Sequence, residues 1–214
     1  MPLIDAKELS AADAYRLLVG IVVPRPIAWI TTLDGSGRVN AAPFSCYTFV
    51  CNRPPMLAIN LGRRDGTLKD TARNVRQRGD FVVNVVTEAL IAPMHQSSSD
   101  FAPEISEPSL LGIELAPSRL IDPPRIAASP IALECRLDRI IELGEQANDL
   151  VIGRVVAFNI NDDIYADGRV DMRKFRPLAR LGGPHYAYLG EIITMPSSDN
   201  FGPRPVLANP SEVP

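Results

Sequence analysis

The sequence predicts a mainly β protein, in which a closed antiparallel barrel is favoured over a sandwich. Apolar runs of strand length, rich in β-branched residues and bounded by turn residues, recur along the 214 residues. Twenty prolines and 14 glycines divide the chain into short pieces, which argues against long helices. The length fits one compact domain with elaborations better than two domains.

Six runs account for most of the predicted barrel. Strong β formers at strand length predict strands over residues 27–32, 39–42, 56–61, 81–86, 131–143 and 150–160. The first two strands form a hairpin, because Asp34-Gly35-Ser36-Gly37 between them is a turn sequence. We expect one domain over residues 1–195, followed by an extended, proline-rich tail over 196–214.

Three short helices are predicted around these strands. Ser10 is a candidate N-cap for a surface helix that ends at Gly20. Residues 67–79 form an amphipathic helix, since a threonine precedes apolar residues at helical spacing and a glycine ends the pattern. A third helix begins at Thr87 and is expected to stop at Pro93. The irregular segment 95–130 that follows is long enough to suggest a functional or interface role.

Composition excludes several kinds of partner. Twenty-two basic residues against 25 acidic ones give a net charge of −3, which disfavours nucleic acid and anionic membrane surfaces. No apolar run reaches the ~20 residues of a membrane helix, and the N-terminus does not resemble a secretory signal, so the cytoplasm is the expected location. Three cysteines without a CxxC pair and two histidines predict neither a disulfide scaffold nor a metal site. The chemistry is therefore expected to belong to a bound molecule.

Lys69, Asp70 and Thr71 form a candidate phosphate site in the first turn of the second helix. The N–H groups and positive dipole end of a helix favour an anion, and Arg63, Lys69 and a threonine hydroxyl are suitable phosphate partners. The alternative is an ordinary capped helix with a solvated arginine face. Local sequence does not decide between them.

Two further segments are candidates for contact with a flat ligand. The run from Asn40 to Thr48 combines small, hydroxyl-bearing and proline residues, whose size lets a ring approach the backbone; a strand edge turned inward is the alternative. Nothing nearby in sequence activates the Cys46 thiol, which favours a lining role for it. His185 and Tyr186 follow two glycines and a proline, as at a pocket mouth, although a surface turn is equally consistent.

Several short motifs occur in a fixed order along the chain. They are Arg25-Pro-Ile-Ala-Trp-Ile-Thr-Thr32, Asn40-Ala-Ala-Pro-Phe-Ser45, Pro54-Pro55, Lys69-Asp70-Thr71 with Asn74, Phe81-Val-Val-Asn-Val85, Glu134-Cys135 and Arg180-Leu-Gly-Gly183 with Tyr186. This ordered set resembles that of flavin reductase-like proteins, the flavoredoxin type of the FMN-binding split-barrel group. The resemblance covers roughly residues 15–190. It implies an antiparallel, Greek-key-like FMN-binding split barrel with a few peripheral helices.

The resemblance also implies a set of FMN contacts. Ser45, Cys46, Tyr47 and Thr48 would lie beside the isoalloxazine ring, with Thr31 a weaker lining candidate. Asn60, Arg63, Lys69, Asp70 and Thr71 would hold the ribityl chain and phosphate. His185 and Tyr186 would lie over the ring, near the nicotinamide or the acceptor.

The implied function is an FMN-bound oxidoreductase that takes hydride from NADH or NADPH and passes electrons to a flavin, a metal complex or a small acceptor. No protein nucleophile is needed for such chemistry, because the cofactor carries it. The implied assembly is a homodimer, with a partner oxygenase or electron-transfer protein as a further expectation. The alternative is a non-enzymatic FMN-binding electron carrier that a protein partner reduces.

Overall fold

The structure, a computed structural model, describes residues 1–64, 66–145 and 148–195. Its strands are β1 (Arg25–Pro26), β2 (Ala28–Leu33), β3 (Val39–Phe44), β4 (Tyr47–Asn52), β5 (Pro55–Asn60), β6 (Arg63–Arg64), β7 (Thr67–Leu68), β8 (Asp80–Val85), β9 (Leu115–Ala116), β10 (Arg125–Ile126), β11 (Ile131–Leu143), β12 (Asn148–Ile160), β13 (Tyr165–Ala166), β14 (Arg169–Val170), β15 (Leu178–Arg180) and β16 (Tyr186–Tyr188). Its α-helices are α1 (Ala11–Ile21), α2 (Asp70–Arg78), α3 (Ile91–Gln96) and α4 (Glu107–Leu111). Strands hold 41% of the residues and helices 21%, which confirms the mainly β class.

A seven-stranded antiparallel sheet forms the body of the molecule, in the order β3-β2-β8-β11-β12-β5-β4. Its inner face surrounds one apolar cluster that includes Ile30, Ile59, Phe81 and Val151, each at most 1% exposed. In the described part of the chain, the two end strands β3 and β4 are not hydrogen-bonded to each other. They are nevertheless consecutive in sequence, so the barrel is open where the chain passes from Phe44 to Tyr47.

The predicted strands of the sheet are confirmed with small changes of length. The β2–β3 hairpin pairs Ala28 with Phe44 and Leu33 with Val39. Its second strand therefore ends at Phe44, two residues after the predicted end at Ala42. The long β11–β12 hairpin passes the ring of Phe81 at Gly153, where an added Cβ would collide with that ring. This close approach explains why glycine stands in the middle of a strand.

The segment 95–130 covers the outer face of the sheet through buried polar anchors. Trp29 donates its indole N–H to Ser97 Oγ at 2.9 Å, and Asn84 Oδ1 accepts from the backbone N–H of Ile126 at 2.8 Å. Glu134, fully buried on β11, accepts backbone N–H bonds from Arg119 at 2.9 Å and Leu120 at 2.7 Å. Burial alone would raise the pKa of Glu134, but these bonds and one from Asn159 outweigh it and lower the pKa. Both faces of the sheet are therefore packed at β2, β8 and the first half of β11.

Three predicted helix boundaries were wrong. The first helix begins after its predicted cap Ser10, which accepts from the Asp13 N–H, but it continues through Gly20 to Ile21. Pro93 does not stop a helix: it lies in the first turn of α3, where its missing N–H has no intrahelical partner to lose. Thr67 is not a helix cap, because its hydroxyl donates to the Arg64 carbonyl at 2.7 Å inside the β6–β7 hairpin.

Two further expectations concern the C-terminal tail and membrane-spanning helices. The tail predicted over residues 196–214 lies outside the described residues. In the part of the chain that is described, none of the helices has the length and apolar character needed to span a membrane.

Candidate flavin site

Two adjoining cavities lie at the open side of the barrel. The first, here called the lysine cavity, has a volume of about 290 Å³ and is bordered by Lys69 and Thr71 of the α2 region. The second, the arginine cavity, has a volume of about 360 Å³ and is bordered by Arg25 and Arg180. Pro43, Phe44 and Ser98 line both cavities. An elongated ligand could therefore extend from one into the other along the end of β3.

The start of α2 gives the lysine cavity its anion-binding character. Lys69 is the N-cap residue, and its side chain makes no capping bond, so the first N–H groups of the helix have no side-chain partner from the cap. The ammonium group lies 5.7 Å from the centre of the Phe44 ring. Burial, and then the neighbouring charge of Arg64, lower the pKa of Lys69. A bound anion would relieve both effects.

Thr71 and Asp70 serve the same cavity in different ways. The Thr71 hydroxyl is buried and accepts a hydrogen bond from Asn40 Nδ2 at 3.0 Å, which fixes its orientation. Asp70 is ion-paired with Arg73 one helical turn later. Since Asp70 is the first residue of α2, its backbone N–H rather than its carboxylate is suited to an anion.

The opposite wall of the lysine cavity comes from the segment that covers the sheet. Ser97, Ser98 and Ser99 border the cavity at the end of α3. Arg64, from the β6–β7 hairpin, forms an ion pair with Asp100 and so connects the two walls. The Ser97 and Ser98 hydroxyls donate to the Met94 and His95 carbonyls, at 2.8 Å and 2.6 Å. The Ser99 hydroxyl and the Arg64 guanidinium therefore add the donors on this wall that the sequence did not predict.

Glu107 is the one acidic group buried against this cavity among the described residues that line it. Its Oε2 accepts the Ala41 N–H at 3.0 Å, and only 6% of the residue is exposed. Burial raises the pKa of Glu107. The carboxylate holds the start of α4 against β3 and stands where it opposes, rather than attracts, an anion.

The arginine cavity is formed by α1, the end of β3 and the β15–β16 hairpin. Arg25 is 7% exposed and donates to the carbonyls of Val19, Val22 and Leu181, whereas its Nε has no partner in the described residues. Arg180 stacks over the Tyr186 ring, with its guanidinium carbon 4.6 Å from the ring centre. Tyr186 in turn shares a 2.8 Å hydrogen bond with His95 Nδ1.

The structure brings some of the sequence-predicted residues to these cavities. Lys69, Asp70 and Thr71 border the lysine cavity, and Ser45 and Tyr186 border the arginine cavity. Cys46 and Thr48 follow Ser45 and are exposed, but neither is among the described residues that line the two cavities.

Other predicted residues lie elsewhere. Thr31 is fully buried on the outer face of β2 and donates to the Pro124 carbonyl at 2.6 Å. Tyr47 packs against the barrel core, and burial raises the pKa of its hydroxyl to about 12. His185 is exposed on the turn before Tyr186 and is not among the described residues that line either cavity.

Asn60 and Arg63 also point away from the lysine cavity. Asn60 Oδ1 accepts the Gly62 N–H at 2.9 Å and so shapes the turn that follows β5. Arg63 Nη2 lies 3.6 Å from Glu142 and 3.7 Å from Asp149, at the tip of the β11–β12 hairpin. Neither side chain is among the described residues that border the two cavities.

Comparison with known proteins gives the class of this protein. A family model described as "Flavin reductase like domain" matches residues 20–178. That match covers most of the chain, and the protein therefore belongs to the flavin reductase-like family.

Three solved structures resemble the chain. Nitrilotriacetate monooxygenase component B from Bacillus cereus is 35% identical with a TM-score of 0.88, over 91% of this chain and 98% of that one. The 2-nitrobenzoate 2-nitroreductase NbaA of Pseudomonas fluorescens is 36% identical with a TM-score of 0.83, over 92% and 98% of the two chains. A protein with a split barrel domain from Shewanella frigidimarina is 19% identical with a TM-score of 0.77, over 89% and 94%. The predicted split-barrel fold is confirmed.

Proposed function

We propose that this protein is an FMN-dependent oxidoreductase that takes hydride from NADH or NADPH and delivers electrons to a flavin, a metal complex or a small acceptor. One observation carries the proposal: a cationic cavity at a helix N-terminus joins a larger cavity with aromatic residues in its wall along Pro43, Phe44 and Ser98. A molecule whose phosphate lies in the lysine cavity and whose planar ring lies at this shared border matches the arrangement, and it leaves the rest of the arginine cavity open to a second ligand. The family assignment and the oxidoreductases among its structural neighbours support the same reading.

In the lysine cavity, the phosphate would be held by Lys69 and by the N–H groups of Asp70 and Thr71. Arg64 and the Ser99 hydroxyl of the opposite wall would complete the set of donors. Charge-assisted hydrogen bonds of this kind contribute about 1.5–3 kcal/mol each. Such contacts would make FMN bind more tightly than riboflavin.

The ring would lie against the opening between β3 and β4, beside Ser45, Cys46 and Thr48. Neither strand has a neighbouring strand on that side in the described sheet. Glu107 and Ser106 already bond the Ala41 N–H and the Val39 carbonyl of β3, so the remaining backbone groups would meet a heteroaromatic edge. FMN, when bound, supplies the redox chemistry, and the residues around it bind, orient and desolvate it. Tyr186 and the His95 bonded to it would border the space over the ring.

We further propose that the chain works as a homodimer. Phe49 and Val50 on the edge strand β4 are 78% and 50% exposed, and α1 has no buried residue while Tyr15, Leu18 and Ile21 on it are exposed. A second copy of the chain would cover such apolar surface. Light scattering at micromolar concentration should report about twice the 23.3 kDa chain mass; a 23 kDa species that retains FMN would contradict the dimer.

The deciding experiment is the visible spectrum of the purified protein before and after NADH or NADPH is added without oxygen. Flavin absorbance that bleaches rapidly with either nucleotide supports the reductase. Flavin absorbance that a nicotinamide leaves unchanged favours the electron-carrier alternative. Protein that binds no FMN on titration would refute the cofactor assignment.

A further inference from the structure

The arginine cavity has a charge that the flavin proposal leaves unexplained. Two guanidinium groups border it, and none of the described residues lining it is acidic. Neither Arg25 nor Arg180 has a carboxylate within ion-pair distance among residues 1–64, 66–145 and 148–195. By contrast, Arg176 on the same side of the molecule is paired with Glu88 at 3.3 Å.

Arg25 places a positive charge behind the cavity wall. It is almost fully buried and bonded only to carbonyl oxygens, so its charge is offset by dipoles and not by an anion. Its Nε lacks any partner in the described residues. A buried cation without a counter-ion is costly, and a ligand anion nearby would lower that cost.

Arg180 is the group that a ligand would touch. Its Nη2 donates to the Gly183 carbonyl at 2.7 Å, which leaves its Nε and Nη1 donors on a partly exposed guanidinium. The stacking on Tyr186 fixes the plane of that guanidinium. A planar, fixed fork of donors matches the geometry of a carboxylate.

Apart from Ser45 and Ser98, the rest of the described cavity wall is apolar or aromatic. Ile27, Met94, Phe44 and Tyr186 border a volume of about 360 Å³, which suits a single small ring more than an extended polar chain. From these observations, we propose that the arginine cavity binds a planar organic monocarboxylate, and that this class includes the small-molecule substrate. The assignment of this ligand as a substrate rests on the proposed reductase function.

Benzoate and benzamide provide matched probes, since they share the ring and differ in charge. In calorimetric titration of the FMN-loaded protein at pH 7, benzoate should bind at least tenfold more tightly than benzamide. Added salt should weaken benzoate binding and leave benzamide binding unchanged. Equal affinities, or binding of neither probe, would overturn the proposal.

Three variants test whether Arg180 causes the preference for benzoate over benzamide. Arg180→Gln should abolish the preference for benzoate, Arg180→Lys should retain part of it, and Arg176→Gln should leave it intact as the control. Arg176 is a suitable control because its guanidinium also stacks on a β16 aromatic, 5.9 Å from the centre of the Tyr188 ring, but does not border the cavity. An equal loss in both glutamine variants, or a loss of benzamide binding as large as that of benzoate, would contradict the assignment.

The two proposals can fail separately. Protein that binds no FMN on titration refutes the proposed function, while benzoate titration of that same protein still tests the cavity. Protein that binds FMN but does not discriminate between the probes refutes only the carboxylate site. A fall in FMN affinity in Arg180→Gln without any benzoate binding would show that the charge serves the flavin itself, and would overturn the proposal.

Discussion

Replacing Lys69 with methionine should weaken FMN binding while riboflavin binding stays nearly the same. Methionine keeps an unbranched apolar stem against Phe44 and removes only the ammonium group, which lies 5.7 Å from the centre of that ring. The side chain is partly exposed, so we take the lower part of the 1.5–3 kcal/mol range for a charge-assisted contact. At 1.36 kcal/mol per factor of ten, a loss of about 1.5–2 kcal/mol is a loss of about 10- to 30-fold in FMN affinity.

Fluorescence titration of the flavin-free protein with both ligands measures this effect. Arg78→Gln is the matched control, because it removes one positive charge from the far end of α2, where Arg78 lies 3.4 Å from Asp122 and away from the lysine cavity. Since burial lowers the pKa of Lys69 from 10.5, the preference of the parent protein for FMN over riboflavin should decline as the pH rises toward that value. An equal loss for FMN and riboflavin in Lys69→Met would refute a phosphate role for this residue.

Three further variants test other parts of the structure. Gly153→Ala should destabilise the fold by about 1–3 kcal/mol in urea unfolding, because its methyl group would overlap the Phe81 ring; an unchanged midpoint would contradict this packing. Glu107→Gln should stabilise the protein by about 1 kcal/mol at pH 7 and by nothing below pH 4.5. The reason is that the native state holds the carboxyl proton more tightly than the unfolded state, whose carboxyl has its ordinary pKa of 4.5. A gain in stability that is the same at both pH values would disprove the burial argument. His185→Ala should raise the KM for NADH or NADPH, or slow flavin reduction, by about tenfold with FMN affinity kept, if this turn residue positions the nicotinamide; coincident stopped-flow rates would remove that role.

Six of the seven strands of the sheet could be predicted because their local and global preferences agree, whereas β4 (Tyr47–Asn52) was not predicted. The runs that form β2 and β8 are largely apolar on both faces, and the structure buries both faces. Strand parity indicates which face Thr31 takes: Ile30 belongs to the inner core, so its neighbour on the strand faces the opposite side. The hydroxyl of Thr31 accordingly donates to the Pro124 carbonyl in the covering segment.

The parts of the site that could not be predicted depend on contacts distant in sequence. Nothing in the local sequence distinguishes Arg63 from Arg64. Successive side chains of β6 nevertheless point to opposite sides, so that Arg63 lies near Asp149 and Arg64 pairs with Asp100. The serines after α3 reach the cavity because Trp29 anchors Ser97 from 68 residues away. Such long-range pairings cannot be read from composition or periodicity.

The opening between β3 and β4 has a consequence for the handling of the protein. An edge strand with unpaired backbone groups and exposed apolar side chains is a template for adding strands of other chains. The edge strand β4 carries Phe49 and Val50 exposed, without a proline or a charged side chain between Tyr47 and Asn52 to block such pairing. Whatever covers this edge in the working protein therefore also keeps it in solution, and loss of that cover should appear first as aggregation, before the fold itself is lost.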